Sequence, residues 1–314
     1  MTTLTYRMAG AISRTWQPGD EVIVSRLDHD ANVRPWVQAA ERAGAVVRWA
    51  EVDAATGELP AAQYATLVGD RTRLVAVTAA SNDIGTRPDV AAITGMARAA
   101  GALSYVDGVH ATPHGPVDIS AFGADFYATS AYKWSGPHIG AVIASPALLE
   151  TLWPDKLVPS PDSVPDRFEF GTPPFADLAG AAAAVDHLAG LDDAAAGPRR
   201  QRIVASMTAA EAHEQRLFGM LLGGLEAMRH VTTYGKAARR TATAYFTVDG
   251  KTPHQVAEHL ASRKVNVWNG DNYAWELTGV LGIRETGSAV RAGLVHYNGE
   301  SDVNLLLEAV AELG

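Results

Sequence analysis

The chain has 314 residues, 47% apolar and 19% charged, enough for one large α/β domain and a smaller one. Lys and Arg total 26 against 35 Asp and Glu, a formal charge of −9, which argues against a surface built for nucleic acid or an anionic membrane. The sequence has no cysteine, which excludes disulfides, thiolate metal sites and a cysteine nucleophile.

Chain order gives a repeating pattern of apolar runs and helical segments. Thr2 and Thr3 open a helix over Leu4–Arg14. Glu21–Ser25, after Pro18-Gly19-Asp20, reads as a buried strand, and Arg34–Ala43 as a helix stopped at Gly44. Strands follow at Val46–Ala50 and Leu74–Thr78, with a loop at Ser81–Thr86. A helix from Asp89 to Ala100 ends at Gly101, a C-terminal stop signal. Leu103–Val106, Asp125–Thr129 and Gly140–Ala144 read as three more strands. Strands alternating with helices imply a mostly parallel, doubly wound sheet, with ligands beyond its carboxyl ends. Asn82, Asp107 and Ser130 fall just past such ends.

Pro154–Pro174 reads as a loop excursion, Ala179–Leu191 as a helix and Gln201–Leu225 as a long connecting helix. Beyond it, strands at Thr241–Val248, Val265–Trp268 and Ala289–Leu294 and helices at Pro253–Arg263 and Asp302–Leu313 form an α+β unit. The expected division is a large domain over 1–200, and a connecting helix with a small domain over 201–314. No apolar stretch is long enough to span a bilayer and no secretory pattern opens the chain, so the cytoplasm is the default location.

Two strand ends carry the chemistry. One reads Tyr105-Val106-Asp107-Gly108-Val109-His110, the other Thr129-Ser130-Ala131-Tyr132-Lys133-Trp134. A buried lysine facing a strand-end aspartate is what a pyridoxal phosphate (PLP) enzyme requires. The amine forms a Schiff base with the aldehyde, and the carboxylate keeps the pyridine nitrogen protonated. On these motifs the chain resembles the class V aminotransferases, the group that includes cysteine desulfurases and selenocysteine lyases. The resemblance implies fold type I, PLP as cofactor and a homodimer with shared active sites.

Residue by residue, the resemblance implies Lys133 as Schiff-base lysine and proton carrier, Asp107 on the pyridine nitrogen and His110 near the phenolic oxygen. His29, in Asp28-His29-Asp30-Ala31-Asn32, stands where a histidine stacks on the ring, and Asn82 where an asparagine faces cofactor and substrate. Thr2, Thr3 and Ser130 match phosphate contacts. Thr172, in Gly171-Thr172-Pro173, matches a phosphate contact made from a partner subunit. Arg291 matches a clamp for the substrate carboxylate. Without the resemblance each residue has an ordinary reading. Lys133 and Arg291 suit a surface, Asp107 and Asn82 suit turns, His110 suits a capping position and His29 a solvated loop.

Three departures narrow the reaction. Persulfide-forming desulfurases carry a cysteine after an Arg-Thr-Gly segment; the matching stretch here is Val267–Tyr273, with Trp268 at the arginine and Tyr273 near the cysteine. Trp268 removes a basic contact and adds an apolar wall, favouring a substrate bulkier or less anionic than cysteine. Tyr132 replaces the histidine usual before the lysine. Family members also carry a segment ahead of the phosphate loop, which Met1 nearly enters here. The expected protein is a PLP enzyme acting on a small amino acid or amine, by transamination, C–S lysis or epimerisation, without a protein-bound persulfide. The alternative is a cofactor-free paralogue acting through its dimer surface.

Overall fold

A computed structural model describes residues 1–314. Its first sheet holds six strands: β1 (Glu21–Ser25), β2 (Val46–Ala50), β3 (Thr72–Thr78), β4 (Leu103–Asp107), β5 (Phe126–Ser130) and β6 (Gly140–Ala144). The order is β2-β1-β3-β4-β5-β6, parallel except for the antiparallel edge pair β5–β6. Strands β3, β4 and β5 are almost wholly buried, as continuous apolar runs require when helices cover both faces. One face packs with the helices Thr2–Ile12 and Arg34–Ala43 around Trp36, Tyr105 and Phe126. The other packs with Val90–Ala99 around Val77, Ile93 and Tyr127.

The 28-residue helix Arg199–Glu226 leads to a second sheet of β7 (Val231–Tyr234), β8 (Thr243–Val248), β9 (Trp268–Gly270) and β10 (Ala289–Gly293), ordered β7-β8-β10-β9 and antiparallel throughout. Its core joins Phe246, Val290 and Leu260 to Leu217 and Leu221 of the long helix. No helix is long and apolar enough to cross a membrane.

Two readings of this half need correction. The strand expected at Val265–Trp268 begins only at Trp268. Lys264 adopts φ 64°, which turns the chain at the preceding helix end, and Val265 is buried in the second core. That apolar run is core filling before the ladder begins. Strand β7 escaped notice because Val231-Thr232-Thr233-Tyr234 is short and only partly buried, as edge strands often are.

Candidate active site

The chain reverses its direction of travel along the first sheet between β1 and β3, and the carboxyl ends of β1, β3, β4 and β5 open onto one cavity of about 340 Å³. Its lining includes Thr2, His29, Asn82, Asp107, His110, Ser130, Tyr132, Lys133, Trp268 and Arg291. Nine of the eleven residues expected at the site therefore meet there. Thr3 and Thr172 do not line it; both are exposed on the single chain.

A buried polar network fixes the loop bearing His29. Asp28 accepts from the Ser25 hydroxyl and, at 2.6 Å, from Asn32 Nδ2; Asn32 Oδ1 in turn accepts from Trp36 Nε1 at 3.1 Å. Burial pushes the Asp28 carboxyl up to about 7, against its two side-chain hydrogen bonds. His29 Nδ1 accepts from the Ala31 amide at 3.0 Å, leaving the proton of the neutral ring on Nε2. Burial, with Lys133 and Arg291 nearby, lowers its pKa to about 4, so the ring is neutral at physiological pH. Tyr273 stacks on it, centroids 5.3 Å apart.

Asp107 ends β4 with its side chain buried. Its Oδ1 accepts from the Val109 amide at 2.9 Å, and burial raises its pKa to about 6 despite that bond and the positive charge of Lys133. Gly108 is required next: a Cβ there would lie 1.9 Å from Tyr127 Cζ. His110 Nε2 lies 3.1 Å from both the Thr241 and the Thr243 hydroxyls, which tie it to the second sheet. Burial and the neighbouring His114 hold its pKa well below the usual histidine range.

Lys133 sits on the short 3₁₀ turn Ala131–Trp134 that directly follows β5. The expectation of a buried lysine needs correction: on the single chain its side chain is exposed. The turn carries it past the sheet edge into the open cavity, with Nζ 5.4 Å from the centroid of the equally open Tyr132 ring. Partial desolvation and then Arg291 lower its amine pKa, while Asp107 opposes the shift.

Arg291, on β10, donates from Nη1 to the Asn82 carbonyl at 3.0 Å and pairs across the ladder with Trp268 on β9. Burial lowers its pKa and Asp83 opposes that change. Sequence reasoning missed Asp83 and Asn272 as parts of this site, and placed Tyr273 only by its match to the family's cysteine position. Asp83 is fully buried, and its Oδ1 accepts from Asn272 Nδ2 at 2.8 Å and from Asn82 Nδ2 at 3.3 Å. Asn82 Nδ2 also reaches the Asn272 carbonyl at 2.9 Å. An Asp-Asn-Tyr run, rich in residues that tolerate left-handed backbone, was the available signal for this turn.

The donor set fits PLP. Lys133 offers a primary amine of lowered basicity, and Asp107 a buried carboxyl with Oδ1 fixed. The helix Thr2–Ile12 starts beside Thr2 and Ser130 with no side chain capping its first turn, so its free amides suit a phosphate.

This fold, with a lysine and an aspartate on adjacent strand ends, defines the architecture of fold-type I PLP enzymes. The sequence profile of the class V aminotransferases matches residues 3–306, and the chain belongs to that family; it is a PLP-dependent enzyme. A Mycobacterium tuberculosis protein described as uncharacterized is 38% identical over 297 residues, covering 94% of this chain and 74% of the relative. A probable cysteine desulfurase of Pseudomonas aeruginosa is 35% identical over 308 residues, covering 94% and 72%. The crystal structure of an Escherichia coli cysteine desulfurase matches with a TM-score of 0.87 at 27% identity, covering 99% of this chain and 76% of the other.

Proposed function

We propose that this enzyme acts on a small amino acid or amine, by transamination, C–S cleavage or epimerisation, and that it does not pass sulfur through a protein-bound persulfide. The observation supporting the reading is the convergence of Lys133, Asp107, His29 and Arg291 on one cavity in a chain with no cysteine. Bound PLP supplies an electron sink for charge developing at the substrate Cα. Lys133 holds the cofactor covalently and then moves the proton at Cα. Asp107 accepts from the pyridine nitrogen, where a positive partner stabilises its carboxylate. Neutral His29 covers a ring face, and the free N–H groups of Arg291 hold a carboxylate. Thr2 and Ser130 bind the phosphate, Asn82 faces the substrate and His110 the phenolic oxygen. Thr172 reaches the site of a second copy, making a homodimer with shared sites. Residues 1–200 form the cofactor domain and 201–314 the connecting helix and small domain. The acidic balance suits neither nucleic acid nor membrane, and the cytoplasm is the proposed location.

The test is reconstitution with PLP, borohydride reduction and peptide mapping, followed by product analysis over amino acids and amines. The expected label falls on Lys133, and cysteine gives no sulfane sulfur on the chain. A label on another lysine overturns the role of Lys133. Efficient sulfur transfer from cysteine to an acceptor protein overturns the assigned reaction class.

A further inference from the structure

The turn Gly270–Tyr273 braces the loop of His29 and is itself held in an unusual conformation. Asn272 and Tyr273 adopt φ 44° and 62°, two consecutive side-chain-bearing residues in left-handed backbone. Such a conformation persists where surroundings over-determine it. Here the Asn272 side chain donates to buried Asp83 at 2.8 Å and to the Gly270 carbonyl at 3.2 Å. The Tyr273 amide donates to Asp271 Oδ1 at 2.9 Å, and its carbonyl accepts from the Asp30 amide at 2.7 Å.

The turn and the strand β9 leading into it present two large aromatic side chains. Tyr273 is 71% exposed and Trp268 64% exposed, yet both line the main cavity, and Trp268 lies directly across the ladder from Arg291. Both also line a second, more open cavity on the outer side of the turn, which continues to Trp275. The mouth of the site therefore runs from Arg291 past Trp268 and Tyr273 to an outer cavity that Trp275, Arg284, Asp271 and Glu285 also line. The turn itself carries no cationic side chain, and Arg284 on the outer cavity stacks over the Trp275 ring, its Cζ 4.1 Å from the centroid.

We propose that Trp268 and Tyr273 form a specificity subsite for an apolar, preferably aromatic, substituent of a carboxylate-bearing substrate, with Asp83 and Asn272 positioning the turn. Among the amino acids and amines of the proposed function, the preferred substrate is then not a small one but an α-amino acid with an aromatic or long apolar side chain. This deepens the reading of Arg291 as the carboxylate clamp and rests on it.

Calorimetric titration with carboxylic acids that lack an amino group tests the subsite. 3-Phenylpropionate, propionate and succinate are titrated into the PLP-treated protein, with the cofactor band recorded on the same samples. 3-Phenylpropionate is expected to bind roughly tenfold or more tightly than propionate, as burial of one ring in an apolar site predicts, with succinate the weakest. Trp268→Ala and Tyr273→Ala each abolish most of that preference, read as the ratio of the two monoacid affinities within each variant; Tyr273→Phe retains it. Both side chains are largely exposed, so these variants keep the fold, which circular dichroism verifies. Equal affinities for the two monoacids, or a preference for succinate, overturn the proposal. These acids cannot react at Lys133. A missing cofactor band with the preference intact therefore overturns the lysine assignment alone, and a lost preference with the band intact overturns the subsite alone.

Discussion

Arg291 donates from Nη1 to the main-chain carbonyl of Asn82 at 3.0 Å, and this bond joins β10 of the second sheet to the loop beyond β3 of the first. One arm of the guanidinium is thereby fixed and the fork keeps other donors for the cavity. A lysine at this place would supply the charge without the second arm.

Arg291→Lys is therefore expected to lower kcat/KM for carboxylate-bearing substrates by about 10- to 100-fold, the range for losing a charge-assisted hydrogen bond. The loss should appear mainly in KM. Amines without a carboxylate should be turned over almost as before. Steady-state kinetics on a matched amino acid and amine pair checks this, and equal losses on both remove Arg291 from the carboxylate.

Asp107→Asn separates holding the cofactor from using it. The Val109 amide still finds an oxygen acceptor, so the strand end keeps its shape. Asparagine cannot hold the pyridine nitrogen protonated, and the electron sink fails. PLP occupancy is expected to stay near the parent's, while exchange of the substrate Cα proton for deuterium falls about 100-fold or more. Unchanged exchange rates would place the pyridine nitrogen elsewhere.

The first sheet was legible because its strands write continuous apolar runs, buried in β3, β4 and β5 and half-exposed at the edges β2 and β6. Glu21–Ser25, Val46–Ala50 and Gly140–Ala144 occupy the residues expected of them. Lys133, Asp107 and His29 were legible because each follows such a run by at most four residues. The clamp around Asp83 was not, because a buried carboxyl inside Ser-Asn-Asp-Ile-Gly-Thr has no period to betray it. Its partner Asn272 is 189 residues away and is brought close only when the second sheet docks. The openness of Lys133 was equally hidden, since the 3₁₀ turn after β5 sets it and that turn has no apolar pattern of its own.

Thr172 lies exposed between the cis Val164–Pro165 bond and the helix Phe175–Leu188, away from the cavity of its own chain. If it serves a neighbour's phosphate, the protein sediments as a dimer. Mixing inactive Lys133→Ala with a Thr172→Ala variant of lowered activity should then raise turnover above the weighted mean of the two. One of the two sites in each mixed dimer carries neither change. A fully active monomer on sedimentation would end this assignment.

Asp83 predicts an unusual pH dependence of stability. Burial pushes its carboxyl up to about 7, with Arg291 and the Asn272 hydrogen bond opposing the shift. The unfolded value is about 3.9, so between about pH 4 and 7 the folded chain binds more protons than the unfolded one. The sign is thus opposite to that of a salt-bridged carboxylate. Asp83's contribution is most favourable below its unfolded pKa and is lost as pH rises through about 7. Asp28, also pushed to about 7, and Asp107, at about 6, act in the same direction, and lowered His29 acts against them on the acid side. A comparison isolates Asp83: Asp83→Asn keeps an acceptor for Asn272 and cannot ionise. Parent and variant should unfold in urea with similar free energies at about pH 4, near the unfolded pKa, where the folded Asp83 is protonated and little of its contribution has been lost. At pH 8 the variant should be the more stable, by an amount on the order of 4 kcal/mol at most. A stability difference that is the same at both pH values would mean that Asp83 does not titrate in this window.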